Sequence, residues 1–368
     1  MIMILFKCAT FVQLMNAIQI KRKLFADVQA DVVLNKITDF SRIVDNVRDS
    51  GIFRKVIETD DTLQWNTDFK SLTYKERKKL AKKPDELFSG CDFGEYTELF
   101  LGVPYPSDIL LYYYLINHGG SLKVNFYEEA QITYLLDWDK KVAVAKIDND
   151  MYGHRSFTAN RGSCYLYEPE LYVGKGFEDN IVQIPKIECD EETKRIYNSI
   201  FGLCQLPEEK YIFLEENFIG DANMVTDIDC LDQLAEYVGK DNIIVKMHPR
   251  SPYDRFTHRG YKLFPESRIP LEMFVLNSDV SDKVFVTISS GGGVSCDVMF
   301  SKSVYSINLF KYMLIGKNFH VREPNFNIYF DKLLETVNAD SVSTFRPDTA
   351  DAFRETIRYI EGGLANEQ

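Results

Sequence analysis

The distribution of apolar residues along the chain predicts short buried strands that alternate with helices. Met1 to Cys8 is apolar enough for a buried strand, and Thr10 is a suitable cap for a helix from about Phe11 to Leu24. Further apolar runs predict strands at Ala30 to Leu34 and Ile52 to Ile57. Continuous apolar runs are typical of parallel strands that are covered on both faces. This pattern predicts a doubly wound α/β sheet in the first half of the chain.

A second alternating series begins in the middle of the chain. Tyr211 to Leu214, Ile243 to Met247 and Lys283 to Ile288 read as strands, and Ile228 to Val238 reads as an amphipathic helix. The stretch from Asn180 to Glu208 between the two series carries prolines and many charges, so we predict the interdomain linker there. The sequence therefore predicts two Rossmann-like lobes, 1–185 and 186–368, with a cleft between them; the last helix is free to pack back on the first lobe.

Composition narrows the class of protein. The 368 residues carry a net charge of -12, which disfavours a general nucleic-acid binder. The seven cysteines include no CxxC pair, as expected in a reducing compartment. No apolar run approaches the length of a membrane span, so we expect a cytoplasmic protein. The basic segment from Tyr74 to Lys83 is either a solvated helix face or a contact with an anionic surface, which would be the inner face of the membrane or an anionic acceptor.

Two common nucleotide motifs are missing. The first strand is followed by Cys8-Ala9-Thr10 and not by GxGxxG, and no GxxxxGK[ST] occurs. The glycines of these motifs let the backbone approach phosphates closely, so dinucleotide and P-loop readings are disfavoured.

One candidate for binding chemistry is the stretch Asn242 to Arg250, with the sequence NIIVKMHPR. It predicts a buried strand that ends in a His248-Pro249-Arg250 turn. Ligands of open α/β sheets bind at the carboxyl ends of strands, where this turn places an imidazole and a guanidinium. A lone His-Pro is also a common loop sequence, so the motif needs support from elsewhere.

Two later segments supply that support. Ser289-Ser290-Gly291-Gly292-Gly293 lies between a predicted strand and a predicted helix, where backbone N–H groups can point at an anion. The alternative is a flexible glycine turn. Glu272, in Ile269-Pro270-Leu271-Glu272, could accept hydrogen bonds from a ribose, or it could be a surface residue of a helix.

These three segments together resemble bacterial sialyltransferases of glycosyltransferase family 52 and, more distantly, the bacterial polysialyltransferases. Lys246-Met247-His248-Pro249-Arg250, Arg268-Ile269-Pro270-Leu271-Glu272 and Ser289-Ser290-Gly291 occur in the family's order and with similar spacing. The opening Ala9-Thr10-Phe11-Val12-Gln13 is also similar. The resemblance is good over about 210–310 and diffuse before that.

The resemblance implies a GT-B fold whose first lobe serves the acceptor and whose second lobe binds the nucleotide sugar CMP-sialic acid. It implies that His248 holds the CMP phosphate with help from Ser289 and Ser290. Ile269 and Pro270 would line the cytosine site, and Glu272 would hold the ribose. The resemblance thus implies an inverting transfer to a glycan hydroxyl, with the donor as substrate and no separate cofactor.

The proton-accepting group has several candidates. The family's acidic pair corresponds to Glu128-Glu129, although Ala130 stands here where the family has glycine. An ordinary solvated turn is the alternative for this pair, and Asp221 after the YIFL strand is another candidate base. Asp227-Ile228-Asp229 fits a helix start better than a metal motif. We therefore expect metal-independent catalysis, in which a carboxylate takes the acceptor proton and His248, Arg250 and the serines neutralise the leaving phosphate.

Three functions are consistent with the sequence. The first is a sialyltransferase that builds a bacterial capsule or lipooligosaccharide. The second is an enzyme of the same fold that uses CMP-Kdo or a UDP-hexose, because Glu272 would hold either ribose. The third is a non-catalytic scaffold that binds a nucleotide or glycan. The expected partners are a nucleotide sugar and a glycan acceptor, and not nucleic acid; the sequence leaves open a homodimer and a peripheral membrane contact.

Overall fold

The computed structural model of the chain describes residues 2–60, 73, 75–76, 79, 84–88, 90–104, 106–138, 153–216, 227–249, 251, 253–266, 268–313, 325–339 and 341–366. The chain divides into two compact units. The first comprises Met1–Pro185 with Ser199–Phe201, and the second comprises Lys186–Asn198 with Gly202–Gln368. No helix in the described ranges is long and apolar enough to cross a bilayer.

The first unit is built on a seven-stranded parallel sheet with the order β3-β2-β1-β4-β5-β6-β7. Its strands are β1 Met3–Cys8, β2 Gln29–Asn35, β3 Val56–Thr59, β4 Glu98–Leu101, β5 Lys123–Tyr127, β6 Arg161–Leu166 and β7 Ile181–Gln183. Its helices are α1 Phe11–Lys23, α2 Val44–Asp49, α3 Pro84–Phe88, α4 Pro106–Asn117 and α5 Ile132–Leu135. Helix α6, Glu191–Phe201, spans the boundary between the units.

The second unit is built on a six-stranded parallel sheet with the order β10-β9-β8-β11-β12-β13. Its strands are β8 Tyr211–Leu214, β9 Ile243–Lys246, β10 Lys262–Leu263, β11 Val284–Thr287, β12 Tyr305–Asn308 and β13 Thr344–Phe345. Its helices are α7 Asp227–Val238, α8 Leu271–Asn277, α9 Ser295–Phe300, α10 Phe310–Met313, α11 Phe326–Val337 and α12 Ala350–Asn366.

Local sequence explains where these elements begin and how they pack. The Thr10 hydroxyl caps α1 by accepting a hydrogen bond from the N–H of Gln13 at 3.1 Å. Central strands are buried on both faces, as in β1, where Ile4, Leu5 and Phe6 have no exposed surface. Such strands have parallel neighbours on each side and helices above and below. The predicted α/β class with two Rossmann-like lobes is confirmed.

Several predicted boundaries need correction. The stretch predicted as a linker contains β7 and α6, because the charges of α6 lie on one face and its Tyr197 and Ile200 are fully buried. The third strand begins at Val56 and not at Ile52. The last helix is part of the second unit, and its Glu361 pairs with Lys210 of that unit at 2.8 Å. Much of the basic segment 74–83 lies outside the described residues.

Candidate functional site

The second sheet reverses its direction of growth between β8 and β11. The chain adds β9 and β10 on one side of β8, and β11, β12 and β13 on the other. Such a switch point leaves a crevice at the carboxyl ends of the two strands, which is the usual ligand site of a doubly wound sheet. The predicted His248 and Ser289 segments follow β9 and β11, the two strands that flank β8. The topology therefore brings both segments to one edge of the sheet.

A carboxylate at the end of β8 holds the serine turn. Glu216 accepts hydrogen bonds from the Ser289 hydroxyl at 2.6 Å, from the Thr287 hydroxyl at 3.0 Å and from the Ser289 backbone N–H. Burial raises the pKa of Glu216, although these hydrogen bonds oppose the shift. The arrangement joins the ends of β8 and β11 across the switch point.

The backbone of the serine turn is a short 3-10 helix, Gly291–Gly293. Ser290 caps it, with its hydroxyl 3.3 Å from the N–H of Gly292, and the N–H of Gly293 donates to the Ser290 carbonyl at 3.1 Å. Gly293 is required sterically, because a Cβ there would lie 2.9 Å from the Thr287 methyl carbon and 3.0 Å from the Ser306 hydroxyl. The alternative of a flexible glycine turn is disfavoured, since the turn is tightly packed. Its donors at Ser289, Gly292 and Gly293 are engaged within the protein.

A second carboxylate holds the loop that carries His248. Glu215 is buried, and one of its oxygens accepts from the backbone N–H of His248 at 2.9 Å and from the Ser251 hydroxyl at 2.7 Å. Arg255 pairs with Glu215 at 2.5 Å and with Asp227 at 2.8 Å. This buried network fixes the backbone of the loop and leaves the His248 side chain half-buried at the strand end.

Lys246 links the His248 strand to the Ile269–Glu272 segment. Its ammonium donates to the Ile269 carbonyl at 2.8 Å and lies over the rings of Phe264 and Phe274. Burial lowers the pKa of Lys246 to about 8, although the nearby Glu272 charge opposes the shift. The cation thereby compensates part of the charge that Glu272 buries.

Glu272 is only 7% exposed, in the first turn of α8, so the alternative of a surface helix residue is wrong. Burial raises the pKa of Glu272, and the Lys246 charge and a hydrogen bond with Ser295 oppose that shift. Ser295 also donates to the Gly292 carbonyl at 3.1 Å. The three sequence motifs, at Lys246, at Glu272 and at the serine turn, therefore form one connected cluster.

The remaining predicted residues of this unit are placed as follows. Pro249 is exposed and Ile269 is half-buried. Pro270 is buried at the N-cap position of α8, where its side chain makes no hydrogen bond to the helix. Ser289 is buried, whereas Ser290 and Gly291 are half-buried. Arg250 and Asp221 lie outside the described residues, so their predicted roles stay predictions.

In the first unit, Glu128 has a structural environment. Glu128 is 6% exposed. Its carboxylate accepts hydrogen bonds from the Tyr134 hydroxyl at 2.5 Å and from the Tyr167 N–H at 3.0 Å. Its carbonyl accepts from Asn16 at 2.7 Å. These contacts tie the end of β5 to α5, to α1 and to the end of β6. The alternative of a solvated turn is wrong for Glu128.

Glu129 has a different environment at the switch point of the first sheet, between β1 and β4. Its carboxylate accepts from the Val103 N–H at 2.9 Å, and the residue is half-buried. A Cβ on Gly102 would lie 2.4 Å from the Gln13 amide nitrogen and 2.9 Å from the Glu129 carboxylate. A glycine at 102 therefore leaves room for the side chains of Gln13 and Glu129, both of which lie close to its backbone.

Sequence reasoning missed three residues that organise the cluster: Glu215, Glu216 and Lys246. Glu215 and Glu216 directly follow β8, and Lys246 is the last residue of β9. The available signal was their position, since acidic residues directly after a fully apolar strand stand at the ligand edge of the sheet. The side-chain partners of Glu215 and Glu216 at 251–255 and 287–289 lie 36 to 73 residues away in sequence, and sequence spacing does not reveal them.

Comparisons with known proteins support the fold. No protein-family model and no curated protein matches the chain. The glycotransferase of kitacinnamycin is similar in structure, with a TM-score of 0.52 and 10% identity over 97% of this chain and 90% of that chain. CalG4, the calicheamicin glycosyltransferase, has a TM-score of 0.48 and 11% identity over 97% and 89%. A UDP-N-acetylglucosamine 2-epimerase has a TM-score of 0.46 and 10% identity over 97% of this chain and 86% of that chain. At 10% identity the similarity to the glycotransferase of kitacinnamycin shows the fold alone, and the predicted GT-B-like fold is confirmed.

Proposed function

We propose that this protein is an inverting glycosyltransferase that transfers sialic acid from CMP-sialic acid to a hydroxyl of a bacterial surface glycan. The observation that supports this most is the connected cluster of the three motifs at the second switch point. Glu215 fixes the backbone at His248, and Glu216 fixes it at Ser289. Such a preorganised edge suits a nucleotide phosphate and a ribose. The sialyl donor rests on the resemblance of the motifs to the family 52 enzymes.

In the proposed reaction the bond between the sialic acid carbon and the CMP phosphate oxygen breaks with oxocarbenium character. The leaving phosphate carries negative charge, which the His248 imidazole and the Ser290 hydroxyl stabilise. Glu272 holds the ribose. A carboxylate accepts the proton of the acceptor hydroxyl as the new glycosidic bond forms.

We assign the base to Glu129. The Glu128 carboxylate accepts hydrogen bonds from Tyr134 and Tyr167. Protonation of Glu128 would weaken both bonds, because they are stronger when the acceptor is charged. Glu129 is half-buried at a switch point and its carboxylate is held by the Val103 N–H. A base that is oriented but still accessible fits proton abstraction better than a buried structural anchor.

A transfer assay with a panel of CMP-sialic acid, CMP-Kdo and UDP-hexoses tests this function. We expect turnover of CMP-sialic acid, which persists after chelation of divalent metals. A chain that turns over only a UDP-hexose would instead be the same-fold transferase with another donor. His248→Ala should reduce transfer at least about a hundredfold while the fold is retained. Unchanged glycan synthesis by that variant would favour the scaffold.

A further inference from the structure

A buried carboxylate stands where the serine turn would meet an anion. Glu216 takes both donors of Ser289, the N–H and the hydroxyl, together with the Thr287 hydroxyl. Thr287 is fully buried and Ser289 is 5% exposed, so these donors cannot turn toward another acceptor without repacking. The carboxylate is therefore a fixed part of this edge of the sheet.

The charge of Glu216 is balanced differently from that of its neighbour. Glu215 pairs with Arg255. Among the described residues no lysine or arginine lies within ion-pair distance of Glu216, whose oxygens are held by hydroxyl and backbone donors. Burial raises the pKa of Glu216, and the hydrogen bonds that the carboxylate accepts oppose this shift. A second anion placed close to this carboxylate would meet repulsion in a site of low dielectric.

This arrangement limits how many phosphates the turn can hold. In the proposed site one phosphate would contact the Ser290 hydroxyl and the His248 imidazole, and both residues are half-buried. A further phosphate would need the donors of Ser289, which Glu216 already occupies. We propose that Glu216 is a specificity-determining residue whose carboxylate restricts the nucleotide site to one phosphate. The inference rests on the proposed nucleotide site and favours nucleoside monophosphate donors over diphosphate donors.

Calorimetric titrations with CMP, UMP, CDP and UDP test this role without any sugar donor. The wild-type protein should bind each monophosphate at least about tenfold more tightly than the matching diphosphate. Glu216→Gln removes the charge and keeps the size of the side chain, so the ratio should fall by about tenfold. Glu216→Asp keeps the charge and should keep the preference. Glu236→Gln, an exposed change of the same charge on α7, is the matched control and should leave the ratio unchanged.

Two results would overturn the role of Glu216. The first is a wild-type protein that binds diphosphates as tightly as monophosphates, and this measurement needs no variant to fold. The second is a folded Glu216→Gln protein whose ratio of monophosphate to diphosphate affinity is unaltered. This includes a variant that binds both nucleotide classes more tightly by the same factor, because phosphate would then compete with the carboxylate for the same donors. Failure to turn over CMP-sialic acid would refute the proposed function and leave the nucleotide ratio standing, so the two failures are distinguishable.

Discussion

The carboxyl ends of the two sheets carry different chemistry. At the switch point of the second sheet, Glu215 and Glu216 each hold a neighbouring strand end through several hydrogen bonds. At the switch point of the first sheet, the side chains of Gln13 and Glu129 both lie close to Gly102. The second edge is thus a rigid frame whose carboxylates already have partners. The first edge presents a carboxylate that is oriented and only half-buried. Related folds therefore support different functions through the residues that follow the strands.

The largest expected effect is on kcat, and it distinguishes the proposed catalytic role of the first edge from the proposed nucleotide-binding role of the second. Glu129→Gln removes the proposed base and should lower kcat by about a hundredfold to ten-thousandfold, which is the usual contribution of general base catalysis. CMP binding should stay unchanged, because the nucleotide residues lie in the second unit. Steady-state transfer kinetics and CMP titration of the same sample measure both quantities.

Glu128→Gln is the matched variant for that experiment. It should lower the free energy of unfolding by about 1–3 kcal/mol, because the buried carboxylate accepts from Tyr134 and Tyr167. The remaining folded protein should keep much of its kcat. A Glu128→Gln enzyme with the larger loss of kcat would reverse the assignment of the base.

The next effect tests the frame of the second edge. Glu215→Gln breaks the buried network with Arg255 and leaves the guanidinium with Asp227 alone. We expect a loss of about 3 kcal/mol in the free energy of unfolding, as for other buried pairs that lose one partner. Urea unfolding measures it. Glu355→Gln, which affects the exposed pair with Arg358 on α12, is the control and should cost less than about 1 kcal/mol. Equal losses would show that the Glu215 network does not hold the loop.

Glycine substitutions test whether steric crowding at the two edges affects different parameters. Gly293→Ala would bring a methyl group against Thr287 and Ser306, so it should weaken CMP binding by about tenfold while the fold persists. Gly102→Ala crowds Gln13 and Glu129 and should lower kcat with little change in CMP affinity. Gly362→Ala, which meets no atom within 4 Å, controls for the substitution itself. The comparison fails if both crowded variants change the same parameter.

The smallest effect concerns Asp297 on α9, directly after the serine turn. Burial raises the pKa of Asp297 from 3.8 to about 7, opposed by the charge of Lys186. Because the pKa is raised in the folded state, Asp297 contributes stability at low pH, and this contribution is lost over the interval from pH 3.8 to about 7. Asp297→Asn should therefore gain stability relative to the wild type across this interval, by about 1–2 kcal/mol. Urea unfolding below and above the interval measures the difference, and a constant difference would contradict it.

The sequence predicted the parts of the fold that follow from short-range patterns. Strands such as Tyr211–Leu214 are wholly apolar, and the Thr10 cap precedes its helix directly, so local physics decides both. The short edge strands β10 and β13 have two residues each and leave no periodic pattern to detect.

The candidate site was only partly predictable for a related reason. The order of the three motifs was sufficient to place His248 and Ser289 at one edge of a sheet. The partners of Glu216 are more than 70 residues away in sequence, so its contact with the serine turn depends on strand order. The difference between Glu128 and Glu129 arises from Tyr134 and Tyr167, which the chain brings to the end of β5 only after folding.

A crystal structure with a bound, fluorinated and unreactive analogue of CMP-sialic acid would test the central claim most directly. We expect one phosphate within hydrogen-bonding distance of the His248 imidazole and the Ser290 hydroxyl, with the ribose at Glu272 and with Glu216 still bound to Ser289. A nucleotide bound at another part of the chain, with His248 and Ser290 not in contact with it, would contradict the account.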